Sequence, residues 1–201
     1  MFAEFINRPL SGDYPEKHFG AASPNCSWVK FTDKNYQDWV GSFQNGWEEN
    51  GTFILKIDSQ DKLFIVAGGY GYLIDINTRE QLNKIAIKDT KSAVVDKNKF
   101  RIYYSNGFDL RHIDINGNIS ILYDDYYFDD IKLIEVRDNK LYANYWYYQR
   151  GSLPFHFEID VETKEIKDSY YDSEKSEYSY ENPNLSLIEK FIKWLKKKAS
   201  R

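Results

Sequence analysis

The sequence predicts an all-β protein: propeller-like repeats of four-stranded antiparallel meanders, three to four of them, closed into a ring or left as an open curved stack, with one amphipathic C-terminal helix. Three observations carry that expectation. The dipeptide Ile-Asp recurs at Ile74-Asp75, Ile113-Asp114 and Ile159-Asp160, each time followed by a turn cluster (Asn77 to Glu80, Asn116 to Asn118, Glu162 to Glu165) and another strand. A Lys followed by a large apolar residue recurs at Lys62-Leu63, Lys99-Phe100 and Lys140-Leu141. The spacings are 39 and 46 residues for the first anchor and 37 and 41 for the second, close to the period of propeller blades. Finally, Phe, Trp and Tyr make up 17% of the chain, and flat rings suit a pleated, half-buried surface. A lone meander has two faces and cannot cover both, so neighbouring units must stack.

Residues 1–27 carry little periodicity and are punctuated by Pro9, Gly12, Pro15, Gly20 and Pro24, which reads as an irregular N-terminal arm or a first strand wrapped on the body. The β-repeat body spans 28–170. It opens with two strand candidates, Trp28 to Phe31 and Trp39 to Phe43, joined through Thr32 to Tyr36. Asn45-Gly46 and Asn50-Gly51 are turn signals. From Gly51 to Ile87 the unit is clearest: Phe53 to Ile57, Leu63 to Ala67, Tyr72 to Ile76 and Gln81 to Ile85 are apolar runs separated by Asp-, Asn- and Gly-containing punctuation. After Tyr170 the pattern stops, and 171–184 reads as a polar loop. In 185–199, Ser186-Leu-Ile-Glu189 matches a capping box, with Pro183 shortly before it. Leu185, Ile188, Ile192 and Leu195 form an apolar face at helical spacing, and the terminal lysines suit the helix dipole. The expected role is a packed cap; a basic amphipathic helix can also lie on an anionic membrane, but a single helix on a β-body more often buries its face.

A chain of 201 residues, 42% of them hydrophobic, can bury a sizeable core as one domain. Its net charge of -4 gives no support to nucleic-acid binding, which depends on neutralising phosphates. The start, with Glu4 and Pro9, lacks the basic opening and long apolar stretch of a signal peptide, and no apolar run approaches spanning length. The expectation is a soluble cytoplasmic protein. Cys26 cannot pair within the chain and reads as a small buried hydrophobe.

No cofactor or metal is expected. His18, His112 and His156 lie far apart and lack the close pairing that ligation from one element needs, so structural roles are favoured. Gly68-Gly69-Tyr70-Gly71 lacks the spacing and following helix of a phosphate cradle and reads as a tight turn. Asp58 to Asp61 and Asp96 to Asn98 resemble pieces of calcium loops but are ordinary turn chemistry. No Ser sits in a nucleophile elbow, and the carboxylates are too turn-bound to nominate an acid and base pair, which argues against an enzyme.

Acid combined with aromatic rings is the strongest functional signal. Asp124, Asp125, Tyr126, Tyr127, Asp129 and Asp130 lead into the third unit, and Tyr145, Trp146 and Tyr148 end its second strand. Rigid rings supply contact area and flanking carboxylates steer a basic partner; alternation also requires some of these rings to fill the space between sheets. The segment Trp28-Val-Lys-Phe-Thr-Asp33, followed by Trp39-Val-Gly-Ser-Phe43 and by repeated strands bearing Ile-Asp, resembles small bacterial immunity proteins of contact-dependent or polymorphic toxin systems. That resemblance implies a cytoplasmic, non-enzymatic protein that binds and masks a basic toxin such as a nuclease. The alternative is a binder of carbohydrate or another small ligand through stacked aromatics.

Overall fold

A computed structural model describes residues 2–47, 51–57, 61–84, 86–124, 129–146 and 154–168. Among the described residues, sixteen strands form four sheets of four. The second sheet contains β5 (Phe53–Ile57), β6 (Lys62–Ala67), β7 (Tyr70–Asp75) and β8 (Glu80–Gln81); the third, β9 (Ser92–Asp96), β10 (Arg101–Ser105), β11 (Leu110–Asp114) and β12 (Ile119–Tyr123). The fourth contains β13 (Asp129–Arg137), β14 (Lys140–Trp146), β15 (Phe155–Asp160) and β16 (Ile166–Asp168). In these three sheets each strand pairs antiparallel with the next. They are meanders, as the repeat requires.

The first sheet is built differently. Its strands β1 (Phe2–Ile6), β2 (Glu16–Phe19), β3 (Cys26–Thr32) and β4 (Asp38–Gln44) lie in the order β1-β3-β4-β2, with β2 parallel to β4. The Trp28 to Phe43 hairpin therefore sits between two strands drawn from 1–27. Of the two expectations for that segment, an irregular arm or a first strand wrapped on the body, the strand holds for Phe2–Ile6, and a second strand, Glu16–Phe19, joins it. Pairing with residues far along the chain, not local periodicity, makes Phe2–Ile6 and Glu16–Phe19 strands. Between them the chain crosses the outer side of the sheet, where Arg8 lies 5.9 Å from the Trp28 ring and Lys30 5.4 Å from the Tyr14 ring.

The recurrent Asp has a plain physical role. Asp75 Oδ1 accepts the amides of Asn77 and Thr78, Asp114 Oδ1 those of Asn116 and Asn118, and Asp160 Oδ1 those of Glu162 and Thr163. A side-chain oxygen thus closes the turn after the third strand of each meander. Asp33 does the same for Asn35 and Gln37 in the first sheet. Across the ladder these aspartates stand opposite Lys62, Arg101 and Lys140. The true second anchor is therefore Arg101-Ile102 rather than Lys99-Phe100, and its spacing becomes 39 residues both times. Each anchor follows a residue in the left-handed region: Asp61, Phe100 and Asn139 have φ of 53°, 52° and 62°. Asp and Asn tolerate that conformation better than Phe does.

Three buried clusters join the four sheets in series. Phe31, Trp39 and Phe43 of the first sheet meet Ile65, Tyr72 and Ile74 of the second. On the other face of the second sheet, Phe64, Val66 and Leu73 meet Ile102, Tyr104 and Ile113 of the third. Tyr103, Leu110 and Leu122 then meet Leu141, Tyr145 and Ile159 of the fourth. Inner sheets are apolar on both faces; end sheets are not. The outer face of the fourth carries Lys140 bound to Glu158 at 2.8 Å, Lys167 near the same carboxylate, and Arg137 over the Tyr142 ring. The outer face of the first carries Lys30 paired with Asp38 at 2.8 Å and Glu4 opposite Lys30. Among the described residues no buried cluster joins the fourth sheet to the first. Among the described residues the stack is propeller-like and open, and its two outer faces carry charge, as the terminal units of a one-dimensional array do.

Expected Gln81 to Ile85 as a full fourth strand is not observed: β8 has only two residues, and Ile85 lies outside the described residues. The buried Asn83 side chain takes over, accepting from Leu73 N at 2.7 Å and donating to Gly71 O at 3.1 Å, and Ile87 bridges Gly71. Gly68 and Gly69 form the expected tight turn, at φ 53° and 85°. No helix occurs among the described residues; the expected helix over 185–199 and the loop over 171–184 lie outside them.

Candidate functional site

The edge strands β5, β9 and β13 of the second to fourth sheets face one common groove. Their edges bound an open groove of about 830 Å³. Its wall includes Leu55, Val95, Leu133 and Ile134, and charges from Lys56, Glu135 and Arg137 flank it. Ile134, on the edge strand β13, is 52% exposed and stands beside the apolar Leu133 and Leu55.

Among the described residues no strand pairs with the groove edge of β5, β9 or β13. At one end of β13 the backbone groups on that edge are satisfied by substitutes. Ile131 N donates to Gly107 O at 2.9 Å, and Ser92 Oγ donates to Ile131 O at 3.3 Å while accepting from Leu133 N at 3.1 Å. Ser92 thus acts as a single rung of a missing strand. Beyond Leu133 a β-bulge re-aims the strand and turns Ile134 outward. An open edge beside apolar side chains is what accepts another extended chain.

The acid and aromatic residues singled out in the sequence divide three ways. Asp124, Asp129, Asp130 and Trp146 lie at one rim of the stack, and the register sets Asp129 opposite Trp146. Lys132 serves both groups: its Nζ is 3.3 Å from Asp130 and 4.7 Å from the Trp146 ring centroid, so the rim is less acidic than its sequence. Tyr145 is not a surface residue. It is 2% exposed, and its hydroxyl donates to the buried Asp168 at 2.7 Å. Strand alternation sent it inward, leaving its neighbour Trp146 half-buried. Asp125, Tyr126, Tyr127 and Tyr148 lie outside the described residues. The groove escaped sequence reasoning because its wall comes from three strands roughly 40 residues apart.

The histidines are dispersed. His18 Nδ1 is 2.6 Å from Ser42 Oγ, His156 Nδ1 contacts Asn144, and His112 rests against the Tyr103 ring. Cys26 is half-buried, with its Sγ donating to Ser23 O at 3.0 Å. Among the described residues no group of three or more His, Cys, Asp or Glu is placed to hold a metal ion, and no helix is long and apolar enough to cross a membrane.

Burial lowers the His112 pKa below its ordinary 6.5; Arg101 and Lys164 act in the same direction, and Asp114 and Glu162 oppose them. A base with a depressed folded pKa leaves more protons on the unfolded chain, so stability falls as pH drops through the unfolded value near 6.5. His112→Gln should therefore lose less stability than the wild type between pH 7.5 and 5.5 in urea unfolding. Both proteins share the same carboxylates, so the difference between them isolates His112; equal losses would assign the imidazole no part in that window.

No family model matches the sequence, and no curated protein matches it. Among solved structures, the fold is similar to TolB from Acinetobacter baumannii, with a TM-score of 0.44 and 15% identity over 71% of this chain and 37% of that one. It is similar to an oligogalacturonate lyase in complex with manganese, with a TM-score of 0.44 and 11% identity over 71% and 45%. A third is the extracellular domain of a putative one-component system from B. thetaiotaomicron, with a TM-score of 0.38 and 10% identity over 83% and 29%. The chain spans less than half the length of each.

Proposed function

We propose that the protein is a non-enzymatic binding module whose inner groove takes an extended polypeptide segment. The observation that carries this reading is the run of unpaired strand edges beside an exposed apolar wall. Backbone groups on the edge supply affinity that is indifferent to sequence, and Ile134 with Leu133 and Leu55 supplies selection for apolar side chains at alternate positions. Peptides selected from a random display library should therefore alternate in hydrophobicity and perturb β5, β9 and β13 amide resonances. Methylating the amide nitrogens at alternate peptide positions should abolish binding on one parity and leave the other unaffected. Ile134→Asp should weaken binding about tenfold, the worth of one partly buried apolar side chain. Ligands that map elsewhere, or an amide-methylation scan without parity, would contradict the groove.

A narrower form of the same class is the immunity reading, in which the rim of Asp124, Asp129, Asp130 and Trp146 meets a basic toxin. The register that sets Asp129 against Trp146 favours it. Replacing Asp129 and Asp130 together by Asn should slow association with such a partner and flatten its salt dependence, while leaving the melting temperature nearly unchanged. Association indifferent to both changes and to salt excludes it. A carbohydrate binder would instead lose affinity on Trp146→Ala and respond little to ionic strength.

A further inference from the structure

Truncation of β8 opens a second recess, on the outer side of the stack between the second and third sheets. The chain after Gln81 turns back to bridge Gly71 through Ile87, so no long outer strand of the second sheet shields the third. Ile119 and Ile121 of β12 are left 42% and 48% exposed on the face turned toward the gap. The recess has a volume of about 310 Å³, room for a small molecule.

Its wall is amphipathic. Ala86, Ile87 and Ile119 form the apolar side. On the same sheet face as Ile119, across from Ala86 and Ile87, stands Arg111, whose Nε and Nη2 both donate to Asp109 Oδ2, at 3.0 and 2.7 Å. That clamp fixes the plane of the guanidinium, which spares a ligand the entropy of ordering it. Asn106 spends its Oδ1 on the amides of Phe108 and Asp109, at 2.9 and 3.0 Å, so the NH2 donor is the end left for a ligand. Lys88, exposed at the mouth, has no ion pair among the described residues. The Tyr104 hydroxyl, a phenol protonated at neutral pH in any case, has its pKa pushed up to about 12 by burial, with Arg111 acting in the opposite direction. Asp89 and the clamping Asp109 balance the two cations, which makes the recess a poor match for a multiply charged anion.

We propose that this recess is a binding site for a small monocarboxylate with a branched or aromatic apolar body. The carboxylate meets Arg111 and the Asn106 amide, with Lys88 closing over it, and the apolar body lies against Ile87 and Ile119. The site is independent of the groove, since the two lie on opposite edges of the sheets.

The test uses the full chain, isovalerate and phenylacetate as probes, and their neutral amides isovaleramide and phenylacetamide as matched controls, followed by amide chemical shifts and titration calorimetry. The acids should saturate at millimolar concentration or below with shifts centred on 86–89 and 104–111, and the amides should bind at least tenfold more weakly. Arg111→Gln should lose the acid response. Lys88→Glu, which changes an exposed residue and leaves the fold intact, should weaken the acids about fivefold, as expected for reversing one charge near the carboxylate. Acid and amide shifting the same resonances equally, no saturation by either acid, shifts outside the recess, or wild-type binding by both variants would each overturn the proposal.

Discussion

Trp39→Ala is expected to lower the free energy of unfolding by about 3–5 kcal/mol, the range for removing a large aromatic from a packed core. Trp39 is fully buried where the first two sheets meet, stacked on Phe31 with ring centroids 4.0 Å apart and planes 12° from parallel. Phe19 and Phe31 pack against the same indole, so its removal leaves a cavity between the first two sheets. Among the described residues its indole nitrogen has no hydrogen-bond partner. Trp39→Phe should therefore cost much less than the Ala variant, because it sacrifices volume and no hydrogen bond. Urea unfolding of the three proteins measures this; equal losses for Phe and Ala would mean that the indole is held by something other than packing.

The second large effect is expected at Gly117, in the turn between β11 and β12. Its φ is +87°, and a Cβ there would lie 2.5 Å from Leu82 O, a backbone atom of the neighbouring sheet. Gly12 supplies the control, with φ of +92° and nothing within 4 Å of its Cβ position. Gly12→Ala should cost about 1 kcal/mol, the steric cost of a left-handed Ala. Gly117→Ala should cost about 2–4 kcal/mol, since overpacking against a backbone that cannot yield adds to the same strain. Thermal unfolding of both variants separates the two contributions. Equal losses would mean that the turn does not bear on the second sheet.

The sequence made the meanders legible because their signals are local. Ile74-Asp75, Ile113-Asp114 and Ile159-Asp160 combine an inward apolar residue with a carboxylate that closes the following turn, and both requirements fall within a few residues. Lys99 drew attention away from Arg101 because both are cations near an apolar residue; only the ladder distinguishes the one facing Asp114. Within 1–27 the sequence leaves an arm or a first strand open and does not place Phe2–Ile6 or Glu16–Phe19, since each pairs with a strand beyond the punctuation that flanks it. In the candidate rim, Asp129 and Trp146 could be read from composition, whereas the burial of Tyr145 depended on the parity of β14. The groove and the outer recess left no local trace at all. One is made by edges of three sheets, the other by a strand that stops after Gln81.

The openness of the stack is the claim on which the accessible groove depends, and thiol labelling tests it most directly. Glu4→Cys and His156→Cys, singly and together in a Cys26→Ser background, place thiols on the two outer faces, one on the edge strand β1 and one on the inner strand β15. In an open, charge-ended stack both should react with iodoacetamide at close to the rate of the urea-unfolded chain, and a short bismaleimide should not bridge them. In a closed ring those faces would pack about 10 Å apart as neighbouring sheets do. Strong protection of both thiols, or an efficient intramolecular cross-link in the double variant, would contradict the open stack and with it the groove.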